Sequence, residues 1–123
     1  MKIFVSHSSG YDYKSKIYEP IRKSDMYENN EFIFPHDGNE MLNTKEIIEK
    51  SDLIIAEVSL PSTGQGIELA WADFAKAPVL CIYEKNSKIS STLKFITNDF
   101  IEYDGADDMI NKIANFVEHF KQI

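Results

Sequence analysis

Short apolar runs recur along this chain, separated by polar segments of helical character, and that alternation constrains the fold more than any other feature. The runs are "KIFVS" (Lys2 to Ser6), "EFIFP" (Glu31 to Pro35), "DLIIAEV" (Asp52 to Val58), "PVLCIYE" (Pro78 to Glu84) and "FIEY" (Phe100 to Tyr103). Runs that are apolar throughout mark strands covered on both faces, which is the habit of parallel sheets. Between them, "YKSKIYEPIRKSDMY" reads as a helix that Pro20 must kink or end. "TKEIIEKS" gives a short helix, and "SSTLKFI" another. From Thr63 to Ala77, Ile67, Ala70, Trp71 and Phe74 fall at helical spacing and predict one apolar face. The tail after Gly105 repeats the pattern with Met109, Ile113, Phe116 and Phe120. The expectation is a doubly wound α/β fold, flavodoxin-like or Rossmann-like, with a five-stranded parallel sheet and helices on both faces. Residues 1–123 are expected to form a single domain.

A net charge of −7 with no basic cluster argues against a nucleic-acid polymer as partner, since phosphate neutralisation needs Lys and Arg. It leaves room for a small anion, which backbone N–H groups and hydroxyls can hold. The apolar runs are too short to span a membrane, and "MKIFVSHSSG" has no secretory pattern, so a cytoplasmic location is expected. Cys81, the lone cysteine, lies inside an apolar run and reads as a small buried hydrophobe.

In open α/β sheets, ligands bind beyond the carboxyl ends of the strands. Here those ends lead into "SHSSGYD", "HDGNE", "SLPSTGQG" and "KNSKISST". The third is the most distinctive. Gly64 and Gly66 permit unusual backbone conformations and close approaches, while Ser59, Ser62 and Thr63 supply hydroxyls. A helix starting near Gly66 would aim free N–H groups at the same space and place Glu68 in its first turn, where the helix dipole favours the ionised carboxylate. An ionised carboxylate suits glycosidic cleavage, because it can stabilise or trap an oxocarbenium-like sugar. It suits plain helix capping equally well. Asp52 and Glu57 lie about 16 Å apart along one strand, which puts Asp52 at the wrong edge and makes it structural.

The stretch "SDLIIAEVSLPSTGQGIELAWA" resembles the signature of the nucleoside 2-deoxyribosyltransferase family, nearest its 2′-deoxynucleoside 5′-phosphate N-hydrolase branch. The likeness continues through "APVLCIYEKNSKISSTL" and covers roughly Ser51 to Leu93. It implies that Glu68 is a nucleophile that attacks the anomeric carbon of a nucleotide, with no cofactor. It implies a phosphate contact at Ser62, where a carboxylate would repel the anion. It also implies a homodimer with shared active sites, in which Ser91 or Thr92 of a second copy completes the phosphate site. The family's further Asp, in the helix before this signature, is replaced by Thr44, preceded by Asn43; Asp37 is the nearest substitute. The first loop also departs from the family's Gly-Ser-Ile-Arg-Gly-Gly and supplies Ser6, His7, Ser8 and Ser9 instead.

"IFVSHSS" is also similar to the opening of TIR domains, whose NAD-cleaving members use a Glu on the corresponding helix. Hydrolysis of NAD is therefore an alternative activity. A non-catalytic nucleotide-binding or interaction module is a third, and transfer to another base remains open beside hydrolysis. His7 and His36 follow strand ends and are read as polar contacts in the cleft or proton donors to a departing base; their spacing with Asp37 fits no metal motif. Tyr11 and Tyr13 are placed to stack on a base or to cover the sheet, Trp71 to join the core or a dimer contact, and His119 to be solvated.

Overall fold

The structure is a computed structural model that describes residues 1–38 and 40–121; Asn39 of the "HDGNE" loop lies outside the described residues. Strands β1 (Lys2–His7), β2 (Glu31–Ile33), β3 (Leu53–Glu57), β4 (Val79–Glu84) and β5 (Asp99–Tyr103) form one sheet in the order β2-β1-β3-β4-β5. Every pairing is parallel. The doubly wound five-stranded expectation therefore holds, with the change in winding direction between β1 and β3.

Side-chain alternation along β1 assigns the two faces. Ile3 and Val5 point into a cluster with Ile17, Ile21, Met109, Ile113 and Val117. These come from a π-helical turn Lys14–Tyr18, from α1 (Glu19–Arg22) and from α5 (Ala106–Phe120). Phe4 points the other way, to Ile48 of α3 (Thr44–Glu49) and Leu69 and Ala72 of α4 (Thr63–Phe74). Cys81 is fully buried in this second layer, where desolvation pushes its thiol up to about 12.

The single helix expected over "YKSKIYEPIRKSDMY" is divided. Pro20 sits at the start of α1, and the N–H of Glu19 reaches back to the carbonyl of Lys14, widening the turn ahead of the proline. Ring clash with the carbonyl four residues back favours such a widened turn. Ser24 then opens a separate helix α2 (Asp25–Asn29). "SSTLKFI" folds as a 3₁₀ turn, Ser91–Phe95.

Helix α4 departs further from expectation. The residues it buries are Gln65, Leu69 and Ala72, and not the Ile67–Ala70–Trp71–Phe74 face. Ile67 is 47% exposed and Phe74 89% exposed. Both stripes have helical spacing, and the narrower, partly polar one meets the sheet. No helix among the described residues is long and apolar enough to cross a membrane.

Candidate functional site

The winding switch leaves a crevice where β1 and β3 end side by side, with Ser6 paired to Ala56 and His7 to Glu57. Above it lies a cavity of about 740 Å³, walled by His7 at the end of β1 and Ser9 of the first loop, Pro35 and His36 after β2, residues 40–43 and Thr44 at the start of α3, and one side of α4. That volume falls within the range of small-molecule sites. From α4 and its cap the lining includes Ser62, Thr63, Gly64, Gln65, Ile67, Glu68 and Trp71. Gly64, Glu68 and Trp71 are four and three residues apart, so they share one helix face.

Glu68 is anchored to β1. The fully buried Ser6 donates its hydroxyl to Oε1 of Glu68 at 2.9 Å. Burial raises the pKa of Glu68, and hydrogen bonds from Ser6 and then Thr44 partly oppose that rise. The expected dipole effect is corrected here. Helix α4 begins at Thr63, three residues earlier than its glycines suggested, so Glu68 occupies the second turn. The dipole fades within the first turn, and desolvation decides the shift. Ser6 thus contacts the carboxylate, and Thr44, where the resemblance led one to expect an acid, is a nearby hydroxyl that favours its ionised form.

The N-terminus of α4 is capped by Ser62, whose Oγ accepts the N–H of Gln65 at 3.3 Å while its carbonyl accepts that of Gly66 at 3.1 Å. The N–H groups of Thr63 and Gly64 have no acceptor within the helix, and both residues line the cavity. Gly64 and Gly66 are ordinary helical residues, which corrects the conformational argument for them: a Cβ at either would meet nothing within 4 Å. What Gly64 supplies is open space at the cavity wall. Gly66 faces a separate groove on the other side of the loop, with Pro61, Leu69, Thr92 and Leu93.

His7 is 4% exposed and wired at both nitrogens. Its Nδ1 is 2.9 Å from the carbonyl of Ser8, so Nδ1 carries the proton and donates. Nε2 must then accept from the hydroxyl of Tyr18, at 2.6 Å, and that hydroxyl accepts the backbone N–H of His36 at 3.1 Å. Desolvation lowers the pKa of His7 to about 4, the Ser8 hydrogen bond opposing and His36 adding to the shift. A neutral, fully bonded imidazole has no proton to give, so His7 is a positioning group in the wall. His36 stands beside it, ring centroids 5.1 Å apart, exposed and lining the cavity.

Several expected contacts lie elsewhere. Asp37 pairs with Arg22 at 2.5 Å and is not part of the cavity wall. Ser8 is 3% exposed and its Oγ accepts the N–H of Gly10. Ser59 donates to Glu57 and accepts the N–H of Glu84, so its hydroxyl is consumed within the fold. Tyr13 stacks on His7 with centroids 4.2 Å apart, and Tyr11 bonds Tyr103, so neither is free to receive a base. Ser91 and Thr92 lie on the exposed 3₁₀ turn, and Thr92 lines the separate groove. Asp52 accepts the backbone N–H of Lys2 at 2.7 Å, at the far end of β3, as a structural residue should. Met41, Leu42, Trp71 and Gln65 were missed as lining residues. For Trp71 the signal was available, three residues after Glu68 on the same face.

No protein-family model matches the chain. Over 45 residues it is 49% identical to a Methanosarcina mazei protein named "Putative 2′-deoxynucleoside 5′-phosphate N-hydrolase 1", covering 37% of this chain and 28% of that one. A protein of the same name from Thermofilum pendens is 32% identical over 76 residues, 58% of this chain and 53% of its own length. The 5-hydroxymethyl-dUMP N-hydrolase of Tetraodon nigroviridis is 29% identical over 82 residues, 62% of this chain and 58% of that protein. The matched stretches thus span between about a quarter and somewhat over half of the curated relatives. Among solved structures, the CMP N-glycosidase BcmB of Clostridium botulinum superposes with a TM-score of 0.68. The superposition covers 93% of this chain and 99% of that one at 18% identity, which establishes the shared fold. The resemblance to nucleotide N-hydrolases read from "SDLIIAEVSLPSTGQGIELAWA" is therefore borne out by the curated relatives.

Proposed function

We propose that this chain is an N-glycosidase that hydrolyses the base–sugar bond of a nucleoside 5′-monophosphate, with Glu68 as nucleophile. The observation that carries the reading is the placement of Glu68. It is a half-buried carboxylate on a cavity wall at the winding switch, bonded by the hydroxyl of Ser6, with Thr44 lining the same cavity. The names of the similar proteins, N-hydrolases of deoxynucleoside 5′-phosphates and a CMP N-glycosidase, supply the substrate class.

In this mechanism the ionised Glu68 attacks the anomeric carbon as the bond to the base breaks. The base leaves with a proton, for which the accessible imidazole of His36 is the donor. Water then cleaves the glycosyl ester and returns the carboxylate. Ser9, Ser62 and the N–H groups of Thr63 and Gly64 receive the 5′-phosphate, a mode that needs no cationic side chain. Met41, Leu42 and Trp71 offer apolar surface to the base. A second copy of the chain brings its Ser91 or Thr92 to the phosphate. The exposed stripe of Ile67 and Phe74 on α4 supports such pairing, because apolar area of that kind is ordinarily covered.

The test is release of free base from deoxynucleotides, ribonucleotides, nucleosides and NAD, by the native chain and by Glu68→Gln. Release from a 5′-monophosphate that is abolished in Glu68→Gln is expected. Undiminished release by Glu68→Gln would overturn the mechanism, and release from NAD alone would transfer the reading to a TIR-like hydrolase.

A further inference from the structure

A second buried carboxylate lies beneath the site and takes no part in the chemistry above. Glu57 ends β3, is 1% exposed, and receives three donors. The N–H of Ser59 reaches Oε1 at 2.6 Å, the hydroxyl of Ser59 reaches Oε2 at 3.0 Å, and the hydroxyl of Tyr103 also bonds Oε2. Because Tyr103 has one proton and gives it to Glu57, Tyr11 must donate in the 2.9 Å contact between the two tyrosine hydroxyls. The backbone carbonyl of Glu57 in turn accepts Nε2 of the buried Gln65 at 2.7 Å.

These bonds run to two different loops. Tyr11 belongs to the first loop, and its N–H bonds the carbonyl of Ser8, next to the cavity-lining Ser9. Ser59 and Gln65 flank the turn that carries Ser62, Thr63 and Gly64. A buried carboxylate is costly to desolvate and contributes little net stability by comparison with apolar packing. Its several donors do, however, fix geometry wherever they are attached.

We propose that Glu57 is a positioning residue that holds the first loop and the β3–α4 turn at a set spacing across the phosphate end of the cavity. Through that spacing, the Tyr11–Tyr103–Glu57–Ser59 chain sets the preference for a phosphorylated over an unphosphorylated substrate. The inference rests on the N-glycosidase reading for its substrate and on hydrogen-bond geometry for its mechanics.

Tyr103→Phe keeps the ring and removes the hydroxyl, and Glu57→Gln keeps the shape and removes the charge. Both are assayed well below their unfolding temperatures on a nucleoside 5′-monophosphate and on the matching nucleoside. The ratio of the two kcat/KM values is expected to fall about tenfold in each variant, the size of effect a small misplacement produces. The double variant should be no worse than the poorer single one, because both substitutions break one chain. A ratio unchanged in folded variants, or a parallel fall for both substrates, would overturn the proposal in favour of a purely structural role. If the native chain releases no base from any nucleotide, the glycosidase reading fails separately. Amide exchange in Tyr103→Phe then decides: acceleration confined to Ser9–Tyr11 and Ser59–Gln65 upholds the bracing, and unchanged exchange there overturns it.

Discussion

Glu68 combines a destabilising burial with two nearby hydroxyls, and the balance between them sets the pH at which it ionises and, under the proposed mechanism, can attack. Burial lifts its pKa, while Ser6 and Thr44 stabilise the ionised form. The acid limb of base release should therefore lie above the ordinary glutamate range of about 4.3. Removing either donor, by Ser6→Ala or Thr44→Val, should move that limb to still higher pH in a kcat/KM profile. The same shift has a cost in stability. The folded chain binds a proton at Glu68 more tightly than the unfolded chain, so stability falls as pH rises from the unfolded pKa toward the folded one. Glu68→Gln should hence match or exceed the native chain in neutral-pH urea unfolding even as base release is lost. His7 works in the opposite sense. Its folded pKa of about 4 lies below the unfolded value of 6.5, so its contribution is present above pH 6.5 and lost as pH falls toward 4. The loss amounts to at most about 3 kcal/mol. Urea midpoints at pH 7 and pH 4.5 should diverge in the native chain and converge in His7→Phe.

Helix α4 shows what a local pattern can carry and where it fails. The central strands β1, β3 and β4 were legible because each is buried on both faces, so an apolar run needed no choice of side. The helix did need one. Ile67, Ala70, Trp71 and Phe74 satisfy the helical period as well as Gln65, Leu69 and Ala72 do, and periodicity alone cannot say which stripe meets the sheet. Ile67 and Trp71 of the first stripe line the cavity, so that stripe is apolar for reasons the core does not impose. Glu68 and Ser62 could be singled out as candidates because their spacing is local, six residues along one loop and helix start. The Glu57–Tyr103 and Tyr11–Tyr103 bonds could not, since they join residues 46 and 92 positions apart. The glycines were misread in the same local way, as turn residues, when the helix already runs through them. That has a measurable consequence. Gly66 is exposed, helical and unobstructed, so Gly66→Ala should stabilise the folded chain by about 0.5–1 kcal/mol in urea unfolding, without strain.

At the scale of the whole molecule, the parallel sheet brings the first loop, the β2 loop and α4 to one rim, but it leaves Ser91 and Thr92 on another flank. Thr92 faces a groove beside Ser62, Gly66 and Leu69 and not the cavity with Glu68. If those hydroxyls serve a phosphate, they serve that of a neighbouring copy, and the site is divided between two chains. Division of this kind can be tested by mixing defective subunits. Glu68→Gln lacks the proposed nucleophile but keeps Ser91 and Thr92; a Ser91→Ala, Thr92→Val variant keeps Glu68 and lacks the hydroxyls. Each alone should be weak, the second through a raised KM for the nucleotide. In an equal mixture that has exchanged subunits, half of the dimers are mixed, and each mixed dimer has one site with both sets of groups. Recovery of about a quarter of native activity is therefore expected, with no recovery if each chain builds its site alone. Phe74→Glu, placed on the exposed stripe of α4 but outside the cavity, should abolish that recovery by keeping the subunits apart. Sedimentation of the same variant as a monomer would connect the loss to association and not to misfolding.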